Sequence, residues 1–110
     1  MSARKRKGDA GEAAYAERCE LEGHVAYPLS PSFPTADLLV LRSDGSIELV
    51  EVKTWARPLN PETIQKVTLG LYALRSMMPP IQRRRCILKL VHAVKGEDGA
   101  YRFAETWRFP

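Results

Sequence analysis

Asp37, Glu51 and Lys53 stand in PTADLLVLRSDGSIELVEVKTW, a stretch from Pro34 to Trp55 that otherwise reads as two apolar strands around a tight turn. Charged side chains are seldom buried unless they are paired or bound to a metal. Here they interrupt the start of the first run and the end of the second, which a hairpin brings to one end. Two carboxylates with Cβ atoms about 5 Å apart repel, and one of them takes up a proton unless a cation lies between them. Lys53 supplies one positive charge. A hard divalent ion supplies more, and Mg²⁺ keeps several waters, so two or three carboxylates suffice to hold it. An ion held this way polarises a water and stabilises charge on a phosphate, and a nearby ammonium adds positive charge. That combination suits hydrolysis of a phosphodiester. The plainer reading is an ion pair at a strand end, Asp37 with Lys53 or Glu51 with Lys53.

Whether the charges meet depends on the turn. A two-residue loop, Asp44-Gly45, sets Asp37 opposite Val52 and sends Glu51 and Lys53 through the other face. A three-residue loop, Ser43-Asp44-Gly45, sets Asp37 opposite Glu51, on the face that also carries Lys53. Apolar residues do not arbitrate, because Leu38, Val40, Val50 and Val52 point one way and Leu39, Leu41, Ile47 and Leu49 the other. A strand apolar on both faces belongs in a covered, central position. Gly45 suits the third place of the longer loop, which is usually left-handed. If the three charges share a function, the loop has three residues, and that register is the expectation.

The flanking elements must present this hairpin. GDAGEAAYAERCELEG reads as a helix over about 9–22 closed by Gly23, with Glu12, Tyr15, Ala16 and Cys19 on one stripe. A short strand over about 24–29 and the loop SPSFPT precede the hairpin, which spans about 36–42 and 46–53. Asn60-Pro61-Glu62 starts a second helix, whose stripe of Ile64, Val67, Leu71, Leu74 and Met78 runs to Pro79-Pro80. Gly70 in its interior costs about 1 kcal/mol relative to alanine. Two further strands, about 86–95 and 100–109, form a second hairpin around Gly96-Glu97-Asp98-Gly99. The order is α-β-β-β-α-β-β, a mixed α/β chain.

The 110 residues suit one domain over 8–110 behind a mobile basic arm over 1–7. The net charge of +4 is concentrated in two runs, Arg4-Lys5-Arg6-Lys7 and Arg83-Arg84-Arg85; outside them, 10 of the 17 Lys and Arg face 13 acids. Such runs suit a phosphate backbone, or are solvated surface. Cys19 and Cys86 are too few and too far apart for a zinc or redox motif and read as buried reduced thiols, and His24 and His92 stand alone. No apolar run approaches the roughly 20 residues of a membrane span, and the start lacks the apolar stretch of a signal peptide, so an intracellular, cytoplasmic setting without a membrane partner is expected.

Asp37…Glu51-Val52-Lys53 on consecutive strands, after a helix carrying Glu12, resembles the PD-(D/E)xK nuclease superfamily, and most closely the archaeal-type Holliday junction resolvases. RKRKGDAGE is similar to that family's basic arm followed by Gly-x-x-x-Glu, here Gly8 and Glu12. Pro34-Thr35-Ala36-Asp37 stands where the family has Pro-Asp, with two residues interposed. Glu51-Val52-Lys53 matches in full, and Gln65 falls in the second helix, where the family often has a glutamine. The likeness covers roughly residues 4–95.

The resemblance implies a restriction-endonuclease-like α-β-β-β-α-β core, a central mixed sheet flanked by helices, with an extra C-terminal strand. It implies Mg²⁺, or Mn²⁺ in its place, held by Glu12, Asp37, Glu51 and the main-chain carbonyl of Val52. Lys53 would orient or help deprotonate the attacking water. A serine before the hairpin would stand near the scissile phosphate, Ser30 in preference to Ser32, with Ser32 then contacting DNA. Arg4, Lys5, Arg6, Lys7, Gln65, Arg83, Arg84 and Arg85 would contact DNA, mostly at the backbone, where contacts position without reading sequence.

The implied activity is paired phosphodiester hydrolysis on four-way junctions by a homodimer, in DNA recombination and repair. Tyr101, Phe103, Trp107 and Phe109 are offered either to the dimer or to the core. Small VRR-NUC-type nucleases share the Glu…Asp…Glu-x-Lys layout, so another small nuclease of the superfamily, or a DNA-repair endonuclease, is the alternative. A non-catalytic nucleic-acid-binding module would account for the basic runs but not for Glu12, Asp37, Glu51 and Lys53 together.

Overall fold

A computed structural model describes the backbone of residues 3–29 and 36–110, with side chains from Ala10 onward within those ranges. Helix α1 (Ala3–Leu21) begins earlier than its sequence pattern suggested, so the backbone of Arg4–Lys7, expected as an arm, is helical. Alanine, glutamate and arginine fill its second half, all good helix formers. It ends where His24 N–H donates to Cys19 O at 2.9 Å. Strands β1 (Val25–Pro28), β2 (Leu38–Leu41) and β3 (Ile47–Thr54) follow, then α2 (Pro61–Ser76), the short α3 (Pro80–Arg84), β4 (Cys86–Lys95) and β5 (Tyr101–Phe109).

The strands form one five-stranded sheet in chain order, β1-β2-β3-β4-β5. Only the β3–β4 pair is parallel. The crossover between those strands carries α2 and α3, as a parallel pair requires. β3 is the central strand, and its residues Glu48, Leu49, Val50 and Val52 are buried. That is the covered position its two apolar faces called for.

α1 covers one face of the sheet through Tyr15 and Cys19, which pack with Leu38, Val40, Val50, Val52, Val91 and Ala93. α2 covers the other through Leu71, with Ala36, Leu49, Cys86 and Leu88 and the partly buried Val67, Leu74 and Met78. Of the stripe its periodicity announced, Val67, Leu71, Leu74 and Met78 thus pack here, and Ile64 is half-buried. Asn60 caps that helix, its Oδ1 accepting from Thr63 N–H at 2.7 Å, with Pro61 in the first turn. Both cysteines are free and buried.

The aromatics of β5 serve both cores. The β4–β5 register shifts between His92 and Ala93, which pair with Glu105 and Phe103 and leave Ala104 as an extra residue. This bulge reverses the facing of the strand. Tyr101 and Phe103 pack under α1, where the Tyr15 and Phe103 rings meet edge to face at 5.2 Å, whereas Phe109 joins the core under α2. Of the four aromatics offered by the sequence to a dimer or to the core, Tyr101, Phe103 and Phe109 therefore pack within the chain, and Trp107 is half-buried.

α1 approaches β3 closely at one point. Gly11 is buried against Thr54, and a Cβ there would overlap Thr54 Oγ1. We expect Gly11→Ala to lift α1 off the sheet at a cost of about 1–3 kcal/mol. Adding Thr54→Ala should restore most of it, since among the described residues Thr54 Oγ1 has no hydrogen-bond partner to lose. Urea midpoints in a double-mutant cycle check this. A Gly11→Ala midpoint equal to wild type would contradict the close approach.

Candidate active site

The turn between β2 and β3 sets the geometry. Leu38 pairs with Val50, Leu39 with Leu49, Val40 with Glu48 and Leu41 with Ile47. Arg42 N–H donates to Ser46 O at 2.9 Å and Gly45 N–H to Arg42 O at 3.0 Å, which closes the loop on Ser43-Asp44-Gly45. Gly45 has φ 89°, the left-handed third position. Continued one step, this register puts Asp37 opposite Glu51 and on the face of Lys53, as the three-residue loop required.

Asp37 is tied on both sides. Its N–H donates to Val50 O at 2.8 Å, and its carbonyl accepts from Leu29 N–H at 2.9 Å. Its Oδ2 accepts from Val52 N–H at 2.7 Å. In an extended strand the N–H and C=O of one residue point to the same side, so the Val52 carbonyl also faces the edge at which Asp37 sits.

Glu51 Oε1 lies 3.4 Å from Lys53 Nζ, with the glutamate side chain only 14% exposed. Burial first, and the Asp37 carboxylate second, raise the Glu51 carboxyl from 4.5 to about 7, against the opposing pull of Lys53. Metal-free and folded, Glu51 therefore keeps its proton over a range in which the unfolded chain has released it. The stability this confers is complete below about 4.5 and is lost as the pH rises through about 7. We expect metal-free protein to lose up to about 3 kcal/mol over that rise. Glu51→Gln should flatten the profile. Urea midpoints in chelator, taken at intervals of pH, check it, and a midpoint that rises over this range would contradict it.

Glu51 and Lys53 also line a cleft of about 360 Å³ between β3 and α2, with Trp55, Thr63, Lys66, Val67 and Gly70. Trp55 follows Lys53 by two residues, so alternation puts it on the same face. Lys66 and Thr63 belong to the stripe of α2 that faces the cleft. Gln65 is exposed and is not among the lining residues. Lys66 therefore occupies the position for which the sequence pattern suggested Gln65.

Other expected residues lie elsewhere. Glu12 is half-buried on α1, next to the Gly11–Thr54 contact. Among the described residues no three His, Cys, Asp or Glu side chains come together as a metal-binding group. The register itself fixes the meeting of two of the expected ligands, Asp37 and Glu51. Arg83, Arg84 and Arg85 are exposed just before β4, whose first residue pairs with Ile47. They lie about 20 Å from Lys53 along β3 at roughly 3.3 Å per residue, at the turn end of the hairpin. Ser30 and Ser32, and the side chains of Arg4, Lys5, Arg6 and Lys7, lie outside the described residues.

A charged group that the sequence reading did not single out sits under α1. Glu48 is 2% exposed, and its Oε2 receives Arg42 Nη1 at 2.7 Å and Lys89 Nζ at 2.8 Å. By alternation Glu48 shares the face of Val50 and Val52, and a buried acid requires a cation. That was the available signal. The fold supplies two cations, one from the turn and one from the neighbouring strand.

What the site can do follows from its parts. Two carboxylates converge at a strand end, one pushed up by burial and by the other, with an ammonium beside them and an open cleft alongside. Such a pair fits a hard divalent ion, because the ion relieves the repulsion that otherwise drives a proton onto Glu51. No protein-family model and no curated protein sequence matches the chain.

Proposed function

We propose that the chain is a Mg²⁺-dependent, structure-selective DNA endonuclease of the PD-(D/E)xK kind that resolves four-way junctions by paired phosphodiester hydrolysis. The observation that carries this reading is the meeting of Asp37, Glu51 and Lys53 on one face at the end of the central strand pair. The element order of α1, three strands, α2 and β4 agrees with the superfamily's α-β-β-β-α-β core, to which α3 and β5 are additions.

Asp37 and Glu51 would hold Mg²⁺ with the Val52 carbonyl, and Glu12 would serve the waters that Mg²⁺ retains. Bound there, the ion would polarise a water and stabilise charge on the phosphate. Asp37 is preset by its bond to Val52 N–H and needs no rearrangement to act as a ligand. Lys53 draws the Glu51 carboxyl down against the burial and the Asp37 charge that raise it, and would offer its ammonium to the phosphate or to the attacking water. The arginine run at the far end of β3 would hold a DNA arm some distance from the cut, a contact that positions without base readout. A two-fold dimer would give the two sites that paired cuts need.

Purified protein incubated with a synthetic four-way junction, a flap and a linear duplex, with and without Mg²⁺, tests the reading. Symmetric nicks confined to the junction and dependent on Mg²⁺ support it. Equal cutting of flap and junction would move the assignment to another small nuclease of the superfamily. Binding without cutting in Mg²⁺ or Mn²⁺ would overturn the enzymatic reading.

A further inference from the structure

The cleft beside Lys53 has an aromatic wall that phosphate hydrolysis leaves unused. Trp55 is half-buried there, with Arg57 Cζ 5.7 Å from its ring centroid. Its carbonyl accepts from Nε2 of buried His92 at 2.9 Å, which pins the backbone from which the ring projects. A carbonyl can only accept, so the proton of that bond is on Nε2. A buried side chain of β4 is thus spent on fixing one tryptophan just past the end of β3.

The opposite wall is α2, with the exposed Lys66 on its rim. Gly70 lines the same wall from the middle of the helix, where alanine would be more favourable by about 1 kcal/mol. The cleft volume of about 360 Å³ falls in the roughly 300–1,000 Å³ range of ligand clefts. A fixed indole, a bare wall and a flanking cation suit a flat π-system attached to a phosphate.

We propose that this cleft receives one unstacked nucleobase of the DNA strand that is cut, stacked on Trp55, with Lys66 on its phosphate. A base paired within a duplex cannot enter, so the cleft selects strands that are open at a branch. Trp55 is then a specificity-determining residue and His92 a positioning residue. The identity of the strand rests on the nuclease reading; the binding of a base does not.

The test is kept apart from cleavage by working in chelator. With Trp107→Phe as background, Trp55 is the sole tryptophan, since the chain has two. Titration with oligothymidine should quench its fluorescence, and a duplex of equal length should not. Trp55→Ala should weaken oligothymidine binding, measured by anisotropy of a labelled strand, roughly 5- to 150-fold, the range for one lost base stack. Trp55→Phe should retain most of it. Gly70→Leu, with the circular dichroism of wild type, should lose it. Equal quenching by duplex, or unchanged affinity in Trp55→Ala, overturns the proposal. If Trp55 governs binding and no substrate is cut in Mg²⁺, the base cleft stands and the nuclease reading falls. If junctions are cut and Trp55→Ala binds and cuts as wild type does, the base cleft alone falls.

Discussion

Glu48→Ala is expected to destabilise the fold by about 3–5 kcal/mol, the cost of removing one partner from a buried ion group. Arg42 and Lys89 both bond to Glu48 Oε2, and their side chains are only 26% and 16% exposed. Without the carboxylate, two cations remain beneath α1 with no acid between them. Among the described residues, Arg42 Nε already lacks a hydrogen-bond partner. Asp44 pairs only loosely with Arg42, at 3.9 Å from Nε with its side chain 64% exposed, and does not replace Glu48. Since domains are stable by only about 5–15 kcal/mol, the loss is a large share of the whole.

Urea unfolding measures it as a lower midpoint at unchanged slope. Replacing all three residues together, as Arg42→Met, Glu48→Leu and Lys89→Met, should cost much less, because no charge is left unpaired. A Glu48→Ala variant within about 1 kcal/mol of wild type would mean that the cations find other partners or water.

Lys53→Met should lower Mg²⁺-dependent junction cleavage about 10²- to 10³-fold, the usual cost of one lost group that stabilises developing charge. Two effects combine. The ammonium no longer meets the phosphate or the attacking water. Glu51 also loses the one neighbour that holds its carboxyl down, so its pKa climbs above about 7 and a proton competes with the metal. The second effect has its own signature. The pH needed for half-maximal activity should rise in Lys53→Met, and extra Mg²⁺ should recover part of the loss. Lys53→Arg should not restore full rate, because a planar guanidinium does not replace a compact ammonium. Lys53 is partly exposed, so the fold should survive, and wild-type circular dichroism is the control. Near-wild-type cleavage would reduce the Lys53–Glu51 contact to an ordinary ion pair.

Much of this site could be read from residue order because a strand has a strict two-residue period. Once the loop was taken as Ser43-Asp44-Gly45, the facing of Asp37, Glu51 and Lys53 followed, and Gly45 was the one residue that argued locally for it. The α2 stripe and its Asn60-Pro61 start were legible for similar reasons, since a cap and a period reinforce each other.

What was not legible depended on tertiary placement. The bulge at Ala104 leaves no strong mark on a strand whose aromatics already alternate. Gln65 and Lys66 are neighbours on the helix, and only packing against β3 decides which one meets the cleft. Arg83–Arg85 formed a conspicuous basic run, but a parallel crossover returns the chain to the start of β3, far from the carboxylates. Glu48 was hidden because ordinary apolar neighbours surround it in the sequence and its partners come from residues 42 and 89.

The central claim is that Asp37 and Glu51 hold the metal for phosphodiester hydrolysis. Asp37→Asn tests it with least disturbance, because the amide oxygen can still accept from Val52 N–H while the charge is lost. A four-way junction incubated in Mg²⁺ with wild type and with Asp37→Asn, both folded by circular dichroism, should be nicked symmetrically by the first and left intact by the second. Equal cleavage by the two proteins would contradict the account.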